Sequence, residues 1–180
     1  MTNDPPRYLP ALTLVIGGAR SGKSRLAEDL VRRTGLPRVY VATAEARDDE
    51  MVARIARHRD GRGEGWTTVE APLDLAPVLA GVPAGSVVLI DCATLWLTNH
   101  LLADHDLDRE AEALLDALAA CAAPVVLVTN EVGLSIVPEN ALARRFRDAQ
   151  GRLNQRAAAQ AGLVVLVVAG LPVALKGAVP

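Results

Sequence analysis

The sequence predicts a three-layer α/β protein, in which a mostly parallel sheet lies between layers of helices. Three observations lead to this prediction: short apolar runs recur along the chain, helical segments separate them, and a glycine-rich loop follows the first run. The runs do not alternate with polar residues, which is typical of strands buried on both faces of a parallel sheet. The predicted strands are Leu12–Ile16, Val39–Ala42, Val87–Ile90, Val125–Thr129 and Leu163–Val168.

The helices are predicted from their apolar spacing and from the residues at their ends. In the last of them Phe146 and Leu153 lie on one apolar stripe, with a proline before its start and a glycine after its end. A turn-rich segment, Gly61–Pro72, is expected to contain a short edge strand at Thr67–Glu70. The predicted helices are Lys23–Arg33, Asp48–Arg59, Thr94–Ala103, Leu107–Ala120 and Glu139–Ala161.

The loop after the first strand, GGARSGKS, matches the phosphate-binding pattern G-x-x-x-x-G-K-[ST]. Its glycines Gly17, Gly18 and Gly22 allow the backbone to fold around phosphates with its N–H groups pointing inward. We expect Lys23 to reach the β- and γ-phosphates and Ser24 to bind Mg²⁺. Because a strand precedes the motif and a helix follows it, the sequence predicts a P-loop nucleoside triphosphate site.

Asp91 ends the predicted strand VVLID, at the carboxyl edge of the sheet where ligands of parallel α/β proteins bind. In P-loop proteins an acid at this place holds Mg²⁺ directly or through water. The alternative is an ordinary acid that caps the next helix. We favour the metal role, with Ser24 and Asp91 as the predicted magnesium ligands.

One histidine ends an apolar helix stripe, since Met51, Ile55 and His58 follow one another at helical spacing. His58 is either a satisfied helix-end or core residue, or a neutral imidazole nucleophile beside arginines that bind phosphates. The residues alone favour the first interpretation. His100 and His105 are expected at the surface.

Composition limits the classes of function. The 180 residues carry a net charge of −2, and 51% of them are hydrophobic, which excludes low-complexity disorder and argues against a general nucleic-acid binder. We predict one P-loop α/β domain over residues 11–180 after a loose N-terminal arm, 1–10. Cys92 and Cys121 show no metal or disulfide spacing, and no signal peptide or membrane span is recognisable, so the expected compartment is the cytoplasm.

Four segments carry a closer resemblance: GGARSGKS, VYVATAEARDDEMVARIARHRDGR, DCATLWLTN and VLVTNEVGLSIVPENALARRFRDAQGRLNQ. Together they resemble the bifunctional adenosylcobinamide kinase / adenosylcobinamide-phosphate guanylyltransferase family of cobalamin biosynthesis, from about Leu12 to Lys176. Many proteins share a P-loop, whereas the HRDGR segment and the TNEVG block are far more specific. The resemblance implies a RecA-like P-loop fold.

The resemblance implies two reactions and their partners. A nucleoside triphosphate, ATP or GTP, phosphorylates adenosylcobinamide, and GMP from GTP is then transferred to adenosylcobinamide-phosphate through a guanylyl-histidine. The matching residue is His58, which reverses the preference stated above. Lys23 is the second implied catalytic residue, Mg²⁺ the implied cofactor and a homotrimer the implied assembly. The alternatives are a P-loop small-molecule kinase without guanylyl transfer, or a nucleotide-binding regulatory protein.

The resemblance also implies a set of nucleotide contacts on the strand ends and the loops that follow them. They are Gly17, Gly18, Ala19, Arg20, Ser21, Gly22, Lys23, Ser24, Ala42, Thr43, Ala44, Arg59, Asp60, Gly61, Arg62, Glu70 and Asp91. Glu70 is a candidate partner for the guanine edge, or an ordinary solvated acid. Asn130 and Glu131 are candidates for cobinamide or nucleotide contacts, or belong to a loop that packs on the last helix.

Overall fold

A computed structural model describes residues 8–46 and 49–180, without the side chains of residues 50, 54, 57, 58 and 60. The strands are β1 (Leu12–Gly17), β2 (Arg38–Ala42), β3 (Trp66–Glu70), β4 (Val87–Asp91), β5 (Val125–Asn130), β6 (Leu163–Val168) and β7 (Leu171–Lys176). The helices are α1 (Lys23–Arg33), α2 (Asp49–Arg62), α3 (Leu75–Ala80), α4 (Ala93–Leu102), α5 (Leu107–Ala120) and α6 (Ala141–Gln160).

The strands form one sheet in the order β3-β2-β4-β5-β1-β6-β7. All neighbours pair in parallel except β6 and β7, which are antiparallel. The predicted mostly parallel sheet is therefore confirmed. β5 lies between β1, which leads into the glycine-rich loop, and β4, which ends at Asp91.

The sheet separates two hydrophobic cores, because successive side chains of a strand point to opposite faces. Leu14 of β1 belongs to the core that α3, α4, α5 and α6 cover, whereas the next residue, Val15, belongs to the core that α1 covers. The other central strands divide in the same way. Burial on both faces explains why these strands appear in the sequence as continuous apolar runs.

Where prediction and structure differ, the signal was weak or was misinterpreted. The short edge strand is confirmed as β3, but α3 and β7 were not predicted. α3 has only six residues and contains Pro77, and every residue of β7 is exposed, so neither has the expected pattern. α2 was expected to end at Arg59 before a glycine turn, yet it continues through Gly61 to Arg62.

Two further observations concern the N-terminal residues and the length of the helices. The predicted arm falls mostly on residues 1–7, which lie outside the described part of the chain, while Leu9 is buried in the core beside α1. The division into an arm and one domain stays a prediction. Among the residues that the structure describes, no helix is both long enough and apolar enough to cross a membrane.

Candidate functional site

The carboxyl ends of the parallel strands bring most of the predicted site residues to one edge of the sheet. Ala42 pairs with Glu70 on one side and with Asp91 on the other. Because neighbouring strands lie about 4.8 Å apart, the Cα atoms of Glu70 and Asp91 are roughly 10 Å apart. At the same edge, Gly17 pairs with Asn130.

The loop over residues 17–24 has a backbone that requires glycine at positions 17 and 22. Gly22 adopts φ +96°, in the left-handed region that glycine enters without strain. A Cβ added to Gly17 would lie 2.6 Å from both Ser21 Oγ and the Val167 carbonyl oxygen. Arg20 also has a positive φ, +57°, although it carries a side chain. The loop is thus a tight turn pressed against the end of β6.

The turn between β6 and β7 supports this loop. The Gly170 N–H donates to the Ser21 carbonyl at 2.9 Å. The Gly170 Cα lies 3.3 Å from the place that a Cβ of Gly22 would occupy. This contact was not predictable from the sequence, because no motif marks Gly170 and β7 itself was not predicted.

Lys23 is directed into the loop. Its side chain is buried, and Nζ donates to the Gly18 carbonyl at 3.0 Å. Gly22 is the residue before α1 and has no side chain that could cap the helix. None of the residues in the first turn of α1, all of which the structure describes, is acidic. The positive end of α1 therefore stays available to an anion, with Lys23 beside it and Ser24 at the second position of the helix.

The segment after β2 is fixed by its own side chains. The fully buried Thr43 hydroxyl accepts from the Cys92 N–H at 2.7 Å and lies 2.8 Å from the Cys92 carbonyl, to which it donates. The Asn99 side-chain amide donates to the Thr43 carbonyl at 2.8 Å. Thr43 consequently faces the interior, where it joins the ends of β2 and β4.

The pKa of the Cys92 thiol is set by burial and by the charges around the end of β4. Burial, reinforced by the negative charge of Asp91, raises the pKa of Cys92 to about 11, while the positive charge of Lys23 opposes the shift. At neutral pH the thiol keeps its proton, which excludes Cys92 as a thiolate nucleophile.

The last residue of α2 packs on the sheet. The Arg62 side chain is buried, and its guanidinium lies 3.4 Å from the centre of the Tyr40 ring. The Arg62 carbonyl accepts from Arg32 Nη2 at 2.9 Å, and Arg32 pairs with Glu28 at 2.8 Å. Burial raises the pKa of Glu28, while the charges of Arg32 and Arg62 oppose the shift. Arg62 thus connects α2 to β2 and α1.

The remaining predicted residues of α2 are placed by the backbone alone. His58 lies four residues, about one helical turn, before Arg62. The side chains of His58 and Asp60 are outside the described part of the structure, and Arg59 is exposed. The catalytic and nucleotide-binding roles predicted for these residues stay predictions, as does the role of Glu70, which is exposed at the end of β3.

A buried polar network that was not predicted from the sequence holds the end of β5. Asn154 donates to the Asn130 carbonyl at 3.0 Å, and its Oδ1 accepts from Thr129 Oγ1 at 2.7 Å and from Gln150 Nε2 at 2.9 Å. The Asn130 N–H donates to Thr94 Oγ1 at 2.8 Å. The available signal was Asn154 itself, which belongs to the specific block of the sequence.

The expectation that His100 lies at the surface was wrong. Its side chain is buried, with its ring centre 4.5 Å from that of Trp96. The signal for this burial was present in the sequence, because Ala93, Trp96, Leu97 and Leu101 have the spacing of one helical face, all four are buried, and His100 lies on the same face.

Comparison with known proteins identifies the family. The family described as cobinamide kinase / cobinamide phosphate guanyltransferase matches residues 13–175. The chain belongs to this family. As a member of the cobinamide kinase / guanyltransferase family it is a transferase that has these two activities.

Two curated relatives illustrate the similarity. The bifunctional adenosylcobalamin biosynthesis protein of Pseudomonas aeruginosa is 51% identical over 167 residues, covering 91% of this chain and 96% of the relative. The protein of the same description from Escherichia coli is 46% identical, covering 92% of this chain and 99% of the relative.

Solved structures support the fold alone. A Pyrococcus horikoshii protein gives a TM-score of 0.57 at 9% identity and covers 96% of this chain and 89% of its own. Protein P4 of bacteriophage phi6, solved in complex with ADP, gives 0.50 at 16% identity and covers 89% of this chain and 52% of its own. These similarities agree with the predicted P-loop NTPase fold class.

Proposed function

We propose that one nucleotide site, built on the loop 17–24 and the neighbouring strand ends, serves both reactions of the family. The observation that carries this proposal is the buried Lys23 side chain at the open N-terminus of α1, on the sheet edge where β4 ends at Asp91. The loop amides, Lys23 and the helix dipole all offer positive charge to a polyphosphate. Glu70, Ala42 and Ala44 lie at the same edge and would receive the nucleoside, whereas the buried Thr43 holds this segment in place from the interior.

In the kinase reaction, the hydroxyl oxygen of adenosylcobinamide forms a bond to the γ-phosphorus of the nucleoside triphosphate. The bond from that phosphorus to its bridging oxygen breaks, the nucleoside diphosphate leaves, and the hydroxyl proton passes to solvent or to a base. Lys23 stabilises the charge that develops on the phosphates. Its hydrogen bond to the Gly18 carbonyl is then exchanged for one to a phosphate oxygen.

The magnesium ligands proposed are the Ser24 hydroxyl and the Asp91 carboxylate. Both offer oxygen, which Mg²⁺ prefers, and they stand at the start of α1 and the end of β4 on the same edge of the sheet. When bound, Mg²⁺ would neutralise charge on the phosphates.

For the guanylyl reaction we propose His58 as the nucleophile. The lone pair of its unprotonated nitrogen forms a bond to the α-phosphorus of GTP, the bond to the bridging oxygen breaks, and pyrophosphate leaves. A phosphate oxygen of adenosylcobinamide-phosphate then takes the GMP and releases the imidazole. One difficult transfer is thereby divided into two easier ones. Exposed Arg59 at the next position would attract the phosphates.

We further propose a homotrimer in the cytoplasm. β7 exposes Leu171, Val173 and Leu175 beside one another on an edge strand, and contact between subunits would cover such a surface. Cys92 and Cys121 are both free thiols, which persist in a reducing compartment.

The test uses GTP labelled at the α-phosphate. Protein, Mg²⁺ and labelled GTP are mixed and denatured, and we expect acid-labile label to stay on the chain. The label should disappear in His58→Ala and should be chased from the wild type by adenosylcobinamide-phosphate.

GTP labelled at the γ-phosphate is the matched control and should leave no such label. Nucleotide binding by His58→Ala, followed with a fluorescent GTP analogue, shows that this variant is folded. Label that persists in His58→Ala would overturn His58 as the guanylylated residue. A folded wild type that takes no label would leave the kinase reaction as the only one of the two that this mechanism supports.

A further inference from the structure

Three side chains with metal-ligating atoms converge away from the nucleotide edge. His100 lies near the end of α4, His105 in the connection that follows, and Glu110 in the first turns of α5. One potential ligand atom from each lies within 4.8 Å of the other two. His100 Nδ1 is 2.9 Å from His105 Nδ1 and 3.8 Å from a Glu110 carboxylate oxygen.

The backbone fixes this arrangement. The His105 N–H donates to the His100 carbonyl at 3.0 Å, and the Glu110 N–H donates to the Asp106 carbonyl at 3.0 Å. The Asp106 side chain caps α5 by accepting from the N–H groups of its first turn. The connection between α4 and α5 is therefore a defined turn that holds the three side chains at set positions.

The surroundings of His100 set its tautomer. Its Nε2 is 3.4 Å from the Leu73 carbonyl oxygen, which also accepts from Trp96 Nε1 at 2.8 Å. A carbonyl oxygen only accepts, so this contact is a hydrogen bond in the tautomer that carries its proton on Nε2, and in that tautomer Nδ1 accepts from the His105 Nδ1–H. A backbone carbonyl is one of the usual partners of the second nitrogen in metal-bound histidines, together with carboxylates and water.

The distances fit a small ion after a modest adjustment. Tetrahedral zinc, with bonds of about 2.0–2.1 Å, places its ligand atoms about 3.4 Å apart. The two Nδ1 atoms would separate by roughly half an ångström, and the Glu110 oxygen would approach by a similar distance. His105 and Glu110 can make these movements by side-chain rotation, because the Glu110 side chain is 30% exposed.

We propose that His100, His105 and Glu110 bind one divalent transition-metal ion of the zinc class, with water as a fourth ligand. Two imidazoles and one carboxylate favour zinc or cobalt over magnesium, which prefers oxygen alone. Binding replaces the hydrogen bond between the two Nδ1 atoms, and the proton of His105 moves to its Nε2. The ion would brace the end of α4 next to Asn99, which holds the Thr43 carbonyl.

The test is a titration of the full chain, without a histidine tag or nucleotide, with Co²⁺ in the presence of excess Mg²⁺. We expect one Co²⁺ per chain, the visible absorption of tetrahedral cobalt, and displacement by Zn²⁺. Trp96 fluorescence gives a second readout, since its ring lies against His100. Zn²⁺ should also raise the Tm.

His105→Ala and Glu110→Gln each alter a direct ligand, so each should weaken Co²⁺ binding by at least the roughly 10- to 100-fold that loss of an outer-shell partner causes. Glu112→Gln, an exposed acid of the same helix, is the matched control and should bind as the wild type does. Thermal unfolding in chelator checks that the variants fold. No tetrahedral cobalt spectrum in the wild type, or a spectrum that survives in His105→Ala, would overturn the proposal.

Discussion

The loop 17–24 and the helix α2 are attached to the sheet in different ways. The loop joins β1 to α1 in the middle of the sheet, between β5 and β6, and Gly17, Lys23 and Gly170 fit it closely to its surroundings. α2 joins β2 to the edge strand β3, and its end is held by Arg62 on Tyr40. The proposed phosphate site thus belongs to the core of the domain, whereas the proposed nucleophile lies on a peripheral helix.

The largest expected effect tests whether the two reactions share one nucleotide site or use two independent nucleotide sites. Lys23→Ala removes the charge that neutralises the phosphates, so we expect phosphorylation and guanylylation both to fall by about 100-fold or more. Lys176→Ala is the matched control, since Lys176 contacts only the carbonyls of Ala158 and Ala159 among the contacts described for it. Steady-state rates of both reactions measure the effect. Guanylylation that survives in Lys23→Ala would mean that GTP binds elsewhere in that reaction.

A smaller effect, mainly on guanylylation, is expected from a substitution at the end of the peripheral helix α2. Arg62→Ala removes the contact with Tyr40, which contributes about 0.5–2 kcal/mol, and loosens the end of α2. We expect guanylylation to fall about 10-fold, while phosphorylation stays within about 2-fold of the wild type. The ratio of the two rates is the measurement. An equal fall in both reactions would contradict the distinction between the two regions.

Thr43 tests the connection between the two regions, because it joins the end of β2 to the end of β4. Thr43→Val leaves the Cys92 N–H without its buried partner, so we expect the free energy of unfolding to fall by about 1–3 kcal/mol. Thr43→Ser keeps the hydroxyl and should lose less. Denaturant unfolding of the two variants compares them, and a Thr43→Val variant that loses no more than Thr43→Ser would contradict the larger role of the hydrogen bond.

The smallest expected effect concerns the side-chain carboxyl group of Glu28 on α1. Because burial raises the pKa of Glu28, proton binding by this group favours the folded state at low pH. That contribution is fully present below the ordinary pKa of 4.5 and is lost as the pH rises through the raised value. Glu28→Gln should remove this pH dependence and change stability at pH 7 by less than about 1 kcal/mol.

The measurement is the Tm of wild type and Glu28→Gln between pH 4 and pH 8. We expect the wild type to lose stability relative to the variant as the pH rises over this range. A difference that does not change with pH would indicate that the ion pair with Arg32 compensates fully for the burial.

The central strands and α1 could be predicted closely, whereas the edges of the domain could not. β6 and α1 have the bounds that the sequence predicted, because continuous apolar runs and amphipathic spacing directly reflect burial. β7 lacks such a signal, since its residues are exposed and its partner is chosen by tertiary pairing. The end of α2 was predicted too early because Gly61 was interpreted as part of a turn. In the structure the helix continues to Arg62, whose side chain packs on Tyr40.

By itself the sequence determined the fold class, the phosphate-binding loop and the family, because these depend on local patterns and on residues that are close in the chain. Only the tertiary structure decided that Thr43 faces Cys92, that Gly170 supports Ser21, and that His100 meets His105 beside Trp96. Such contacts join distant segments or turn a side chain inward. Their geometry follows from how the strands and helices pack, which no local pattern encodes.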